Sequence, residues 1–116
     1  MAHIVVLGAG LGGTIMAFEM KEKRGPADKL TVINLGTAYS FVPSNPWLAV
    51  GWRERGDITV DLSAVFSRRG IAFRPEGARR VHAAESRVEL NDGSSVAYDY
   101  LIVATGPELA FDEVPG

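Results

Sequence analysis

Three glycines near the N-terminus have the spacing of a phosphate-binding turn. Gly8, Gly10 and Gly13 form the pattern G-x-G-x-x-G. In such a turn the first glycine permits the sharp bend, the second lets a pyrophosphate approach the backbone, and the third allows close packing between helix and strand. The free N–H groups and the positive dipole end of the following helix then face the phosphates. The spacing indicates dinucleotide binding, and the alternative is a turn that serves only strand–helix packing.

The elements around these glycines come in the order that a dinucleotide site needs. His3–Leu7 is a short, mostly β-branched apolar run that is typical of a buried strand. We predict a helix from residue 11 or 12 to about residue 23, and a second strand over residues 30–33. Asn34 follows that strand, about 20 residues after the glycines, where an acid usually bonds the ribose hydroxyls. Asparagine can bond a hydroxyl, but it adds no charge.

Composition bounds the class of protein. The 116 residues are enough for one domain, residues 1–116, and their apolar fraction of 47% is that of a globular protein. The net charge of −2 gives no basic field for nucleic acid, and the arginine pairs at 68–69 and 79–80 are expected on solvated surface. There is no cysteine, which excludes thiol chemistry and thiolate metal sites within the chain. No signal peptide or membrane span is evident, so a cytoplasmic location is expected.

Residues 35–56 have no regular period and read as a long loop. Glycines and prolines interrupt the stretch, yet it is rich in large apolar side chains: Tyr39, Phe41, Val42, Trp47, Leu48, Val50 and Trp52. A structureless loop of this length in a small domain is often functional. It either lies against a cofactor ring or a second domain, or it forms a lid over this domain's own core.

The second half alternates between a helix, buried runs and a hairpin pattern. Asp61 is a plausible N-cap for a helix over residues 62–69, and residues 71–73 and 100–104 are apolar runs expected to be parallel strands. Between them, residues 80–82, 87–90 and 95–98 alternate as an antiparallel meander, with a turn at residues 91–93. His3 and His82 have no acid or metal-spaced partner nearby in sequence. The predicted fold is α/β: a Rossmann-like parallel sheet with an inserted antiparallel β-meander, expected to be an incomplete domain because four parallel strands are few.

Three features together resemble a flavoprotein class. The glycine motif, the meander and Leu101-Ile-Val-Ala-Thr-Gly106 resemble the FAD domain of the two-dinucleotide-binding, disulfide-reductase-like flavoproteins. A narrower resemblance, over the whole chain, is to sulfide:quinone oxidoreductases. It rests on Phe41-Val-Pro-Ser-Asn-Pro-Trp47, Val50-Gly-Trp-Arg-Glu-Arg55, Tyr98-Asp-Tyr-Leu101 and Ala104-Thr-Gly-Pro-Glu-Leu-Ala-Phe111.

The resemblance implies FAD as the cofactor and assigns residues to it. Residues 8–12 would hold the pyrophosphate, Asn34 would meet the adenosine ribose, and Val42 with Pro43 would lie near the isoalloxazine. Ala78, placed at the end of an extension of the third strand, would offer backbone atoms to the adenine. The implied cofactor-binding set is Gly8, Ala9, Gly10, Leu11, Gly12, Gly13, Asn34, Leu35, Val42, Pro43, Ala78, Thr105 and Gly106.

The resemblance also implies an activity for a longer parent protein. Members of the family oxidise sulfide through redox-active cysteines, pass the electrons to FAD and reduce a membrane quinone. Those cysteines, the quinone site and the membrane-binding segments lie beyond the matched region, so the parent is expected to be peripheral to the membrane and this chain alone inactive. Two alternatives stay open. One is a related flavoprotein, such as the flavoprotein subunit of flavocytochrome c sulfide dehydrogenase or a type II NADH dehydrogenase. The other is a non-catalytic chain that binds no cofactor and self-associates through exposed apolar surface, as a homo-oligomer.

Overall fold

The computed structural model describes residues 1–116 and contains nine strands and three α-helices. In chain order these are β1 (His3–Leu7), α1 (Leu11–Lys23), β2 (Lys29–Ile33), β3 (Ala38–Ser40), α2 (Asn45–Ala49), β4 (Thr59–Asp61), α3 (Leu62–Arg68), β5 (Ala72–Arg74), β6 (Ala78–His82), β7 (Arg87–Leu90), β8 (Ser95–Ala97) and β9 (Tyr100–Val103). None of the helices combines the length and the apolar character needed to span a membrane.

A four-stranded parallel sheet forms the centre of the chain. Its strand order is β5-β2-β1-β9, so β1 pairs with β2 on one side and with β9 on the other. β1 reads as a nearly continuous apolar run because the two central strands are covered on both faces. The structure thus confirms the predicted Rossmann-like sheet, including the parallel strand expected near residues 100–104.

Two apolar clusters cover the two faces of this sheet. Side chains alternate between the faces along β1. Val6 points to the side of α1 and α3, where Phe66 is fully buried and contacts the rings of Phe18 and Phe73. Val5 and Leu7 point to the other side, where they pack on the antiparallel sheet formed by β6, β7 and β8. The molecule therefore has three layers, helices, parallel sheet and meander, and the predicted meander is confirmed.

The segment predicted as a loop, residues 35–56, contains regular structure. β3 pairs antiparallel with β4, and Val42–Ser44 forms a 3₁₀ turn that leads into α2. Tyr39 of β3 packs against the apolar cluster around Phe66, but the rest of the segment does not cover the core, because no residue of α2 is buried and Trp52 is 77% exposed. Ser44, the buried residue before α2, accepts a hydrogen bond of 2.6 Å from Arg53, whose guanidinium also lies over the ring of Trp47.

Two further expectations from the sequence are corrected. Ala78 is not on an extension of the third strand, since β5 ends at Arg74 and Ala78 begins the meander as the first residue of β6. His82 does have an acidic partner, because the β6–β7 pairing brings its Nε2 to 2.9 Å from Oε2 of Glu89. That hydrogen bond lowers the pKa of Glu89. Neither the placement of Ala78 nor the contact between His82 and Glu89 was visible in the sequence, since each depends on strand pairing. The predicted cap is confirmed, with the Asp61 carboxylate accepting from the Ser63 N–H.

Asp28 ties the N-terminus to the turn between α1 and β2. Its two carboxylate oxygens accept from the backbone N–H groups of Ala2 and Gly25, at 2.8 and 2.9 Å. These bonds lower the pKa of Asp28. We expect Asp28→Asn to lower the Tm at neutral pH, because the amide can accept only one of the two bonds. A group with a depressed folded-state pKa stabilises the fold above its unfolded pKa, about 4 for Asp, and the contribution is lost as pH falls through the lower folded value.

Thermal melts of the wild type and Asp28→Asn between neutral and acidic pH test this expectation. The difference in Tm should shrink as the pH falls below about 4. Asp112→Asn is the matched control, because Asp112 is exposed and makes no side-chain hydrogen bond or ion pair. A Tm difference for Asp28→Asn that stays constant with pH, or that Asp112→Asn reproduces, would contradict the assignment.

Candidate dinucleotide-binding site

The glycine turn is packed tightly between β1, α1 and the residues after β9. Gly8 has a positive φ of 98°, and a Cβ built on it would lie 2.4 Å from the carbonyl oxygen of Ala104. A Cβ on Gly13 would lie 1.8 Å from the carbonyl oxygen of Gly8. Gly10, in contrast, has no atom within 4 Å of its Cβ position. Gly8 and Gly13 are therefore required by packing, whereas the space above Gly10 is open.

The first turn of α1 presents backbone N–H groups that have no protein acceptor. The carbonyl of Gly10 accepts from Thr14 N–H at 3.0 Å, which leaves the N–H groups of Leu11, Gly12 and Gly13 without a backbone or side-chain partner. No acidic residue lies in this turn and no side chain caps it. The unpaired N–H groups and the helix dipole together favour an anion at this end of α1.

Two cavities meet at the glycine turn and share Asn34, Leu35 and Thr105. The first, about 360 Å³, extends from Gly8 across the end of β2 to the meander, where residues 78–81 line it. The second, about 580 Å³, extends from Ala9, Gly10 and Leu11 toward β3 and the 3₁₀ turn. Both volumes are in the range of roughly 300–1,000 Å³ that is usual for ligand pockets. The two cavities thus form a groove that crosses the carboxyl ends of β1 and β2, where ligands bind in open α/β sheets.

The groove has no negative side chain along its lining. Neither cavity is lined by an aspartate or a glutamate, whereas Arg79 and Arg80 line the first. Arg79 is 3.8 Å from Glu89, and Arg80 makes no ion pair. The charge of the groove and the free N–H groups of α1 therefore both favour an anionic ligand.

Ten of the thirteen predicted site residues line the two cavities. Gly8, Asn34, Leu35, Ala78 and Thr105 line the first cavity; Ala9, Gly10, Leu11, Val42 and Pro43 line the second, together with the three shared residues. Gly12, Gly13 and Gly106 line neither. Gly12 contributes its free N–H group, Gly13 is buried against Gly8, and Gly106 follows Thr105 with a positive φ of 70°.

Residues of two strands line the groove without having been predicted from the sequence. Arg79 and Arg80, expected on solvated surface, are exposed but also line the first cavity, next to a register shift between Ala78 and Arg80. Such bulges are frequent beside functional sites. Tyr39 and Ser40 of β3 line the second cavity. The direct adjacency of Arg79 and Arg80 to Ala78 was the sequence signal that could have found the arginines.

The sequence matches the pyridine nucleotide-disulphide oxidoreductase family over residues 2–116. It is 37% identical over 109 residues to the sulfide-quinone reductase of Aquifex aeolicus, covering 94% of this chain and 25% of that protein. It is also 33% identical over 104 residues to the epsilon subunit of an NADH-dependent phenylglyoxylate dehydrogenase from Aromatoleum evansii, covering 88% of this chain and 24% of that subunit.

The fold matches a solved structure of the same kind. The crystal structure of sulfide:quinone oxidoreductase from Aquifex aeolicus superposes with a TM-score of 0.89 at 36% identity, over 96% of this chain and 26% of that one. The chain thus spans about a quarter of the length of the curated relatives it matches. The likeness covers nearly all of this chain, and the family match over residues 2–116 includes the glycine turn, both cavities and the meander.

Proposed function

The chain belongs to the pyridine nucleotide-disulphide oxidoreductase family, and we propose that it binds FAD as the nucleotide-holding part of a sulfide:quinone oxidoreductase. The observation that carries this proposal is the 37% identity to a sulfide-quinone reductase over 94% of the chain, alongside a family match over residues 2–116 that includes the whole groove. Several parts of the groove also support a dinucleotide ligand, because they suit a pyrophosphate that has an uncharged group on either side, the adenosine and the isoalloxazine.

The pyrophosphate fits the turn between β1 and α1. The N–H groups of Leu11, Gly12 and Gly13 are free, and the open space at Gly10 is where a Cβ would obstruct a close approach of phosphate oxygens. The lack of acidic lining residues avoids repulsion of the two phosphate charges. Pyrophosphate at a helix N-terminus after a glycine turn is the usual arrangement of dinucleotide sites.

The two cavities divide the rest of the ligand. We assign the adenosine to the first cavity, where Ala78 offers backbone atoms to the adenine and Asn34 lies at the ribose. We assign the isoalloxazine side to the second cavity, which Val42 and Pro43 border. Thr105 lines both cavities and would contact the middle of the ligand. Leu35, 79% exposed between the cavities, would cover the adenosine from the side.

Bound FAD would supply two-electron redox chemistry, accepting electrons from sulfide and delivering them to a quinone. The residues of this chain hold and orient the nucleotide and carry no thiol, since the sequence has no cysteine. Sulfide and quinone would meet other portions of the parent protein, through which it would associate peripherally with a membrane. We therefore expect nucleotide binding from this chain and no sulfide turnover.

FAD binding is the measurement that tests the proposal. We expect purified chain mixed with FAD to keep flavin absorbance after desalting, and ADP to compete for the site because it shares the adenosine and pyrophosphate. Riboflavin, which lacks both, is the control ligand and should not bind. A colourless protein after desalting, together with no ADP binding by calorimetry, would overturn the proposal.

A second behaviour, self-association without a cofactor, is favoured by the exposed apolar surface. Trp47, Val50 and Trp52 line one apolar cleft and are 40%, 62% and 77% exposed. Large exposed apolar patches in soluble proteins commonly mark interaction sites. Light scattering separates the two behaviours: concentration-dependent mass with no FAD binding would favour self-association, and a monodisperse monomer would count against it.

A further inference from the structure

The side chain of Asn34 is held at both ends by backbone groups of the groove. Its Oδ1 accepts from the N–H of Ala9 at 3.0 Å, and its Nδ2 donates to the carbonyl of Gly36 at 3.1 Å. The orientation of the amide is determined by these partners, because an N–H group must face the oxygen and a carbonyl must face the nitrogen. The Asn34 side chain therefore connects two segments of the chain that lie 25 residues apart.

The contact with Ala9 fixes the centre of the glycine turn. Ala9 is 3% exposed, and its carbonyl accepts from the hydroxyl of Thr14 at 3.1 Å. Both backbone polar groups of Ala9 are thus bound by side chains. Without Asn34 the buried N–H of Ala9 would lose its acceptor, at the cost of an unsatisfied polar group. The peptide planes on either side of Ala9 set the direction in which Gly10 and the free N–H groups of α1 face the groove.

The contact with Gly36 fixes the opposite wall. Gly36 has a positive φ of 84°, and its N–H donates to the carbonyl of Pro75. Leu35, one residue before it, lines both cavities. Asn34 therefore connects the pyrophosphate turn to the wall beside it through two hydrogen bonds within the chain.

A carboxylate of the same shape could not make both contacts. Aspartate at position 34 would accept from Ala9, but it has no proton to donate and would face the Gly36 carbonyl with a negative charge. It would also place that charge beside the N–H groups that suit a pyrophosphate. Oδ1 of Asn34 keeps one free lone pair, so a ribose hydroxyl can still donate to it.

We propose that Asn34 is a positioning residue whose neutral amide holds the Ala9 turn and the Leu35–Gly36 wall in place for the pyrophosphate, a role that the acid usual at this position cannot fill. This inference rests on the proposed binding of FAD. It makes the opposite prediction to a role in ribose binding alone, since an acid would then strengthen the contact.

FAD titrations of Asn34→Asp test the inference. We expect at least about tenfold weaker binding at neutral pH, because one hydrogen bond is lost and a like charge is added near the phosphates. The deficit should narrow as the pH falls toward about 4, where protonated aspartic acid is neutral and can donate. Asn91→Asp is the matched control, since Asn91 also donates to a backbone carbonyl, at 2.9 Å, and lines neither cavity.

Hydrogen exchange of the Ala9 amide in the free protein gives a second readout that needs no ligand. We expect protection of this amide in the wild type and in Asn91→Asp, and its loss in Asn34→Ala. Unchanged protection in Asn34→Ala, or equal or tighter FAD binding by Asn34→Asp, would overturn the positioning role alone. Failure of the wild type to bind either FAD or ADP would overturn the proposed function together with it.

Discussion

Alanine at position 13 is expected to destabilise the chain by about 3 kcal/mol or more, a large part of the roughly 5–15 kcal/mol by which small domains are stable. The added Cβ would lie 1.8 Å from the carbonyl oxygen and 2.8 Å from the carbonyl carbon of Gly8. Both atoms belong to the backbone, so no side-chain rotation can relieve the contact. α1 would have to move away from β1, which would open the apolar cluster around Ala17 and Phe66.

Gly12→Ala is the matched control for this prediction. It adds the same methyl group to the same helix one residue earlier, where no atom lies within 4 Å of the Cβ position. Alanine also has the higher helix propensity, so this variant should be as stable as the wild type or slightly more stable. Urea unfolding followed by circular dichroism gives both values. Equal midpoints for Gly13→Ala and Gly12→Ala would show that α1 tolerates the shift.

Gly10→Ala is expected to leave the fold intact and to weaken FAD binding by roughly ten- to a hundredfold, the equivalent of one lost hydrogen bond to a charged group. Gly10 has a φ of −73°, which alanine adopts without strain, and the position of its Cβ is free of protein atoms. The methyl group would therefore occupy space that the proposed pyrophosphate needs. The N–H groups of Leu11 and Gly12 would remain, but the phosphates could not reach them closely.

Calorimetric titration with FAD, alongside a thermal melt of each variant, tests this second prediction. Gly56→Ala is the control, because Gly56 also has open space at its Cβ position and lines neither cavity. It should bind FAD as the wild type does. Undiminished binding by Gly10→Ala would place the phosphates elsewhere, and a large loss of Tm would mean that the open space has a structural role instead.

Much of the fold could be predicted because its signals are local. β1, the glycine turn and α1 are adjacent in sequence, and each carries a strong pattern of its own. The pairing of β3 with β4 could not be predicted, because each has three residues and the partner is about 20 residues away. Three residues carry no measurable period. α2 was missed because Pro46 reads as a helix breaker, although proline is well tolerated in the first turn of a helix.

Site residues that belong to a sequence motif could be predicted. Site residues whose contacts depend on the pairing of strands were harder to predict. The spacing rule singled out Asn34, and the structure places it in the groove, but its bond to Ala9 depends on how β1 and β2 align. Ala78 was identified through the resemblance but assigned to the wrong element, because the sequence does not show where β5 ends. Arg79 and Arg80 reach the first cavity beside an irregularity in strand register, which leaves no trace in composition.

The position of β9 beside β1 also constrains the order of events during protein synthesis. Ile4 pairs with Tyr100, so β1 acquires its second neighbour only after Tyr100 and the rest of β9 have been translated. Until then one edge of β1 is unpaired, and unpaired edges invite association with other chains. Ala104 and Thr105 follow directly after β9 and pack against Gly8, and Thr105 lines both cavities. The groove therefore cannot be assembled until these residues have left the ribosome, and a nascent chain cannot use the nucleotide to fold at any earlier stage.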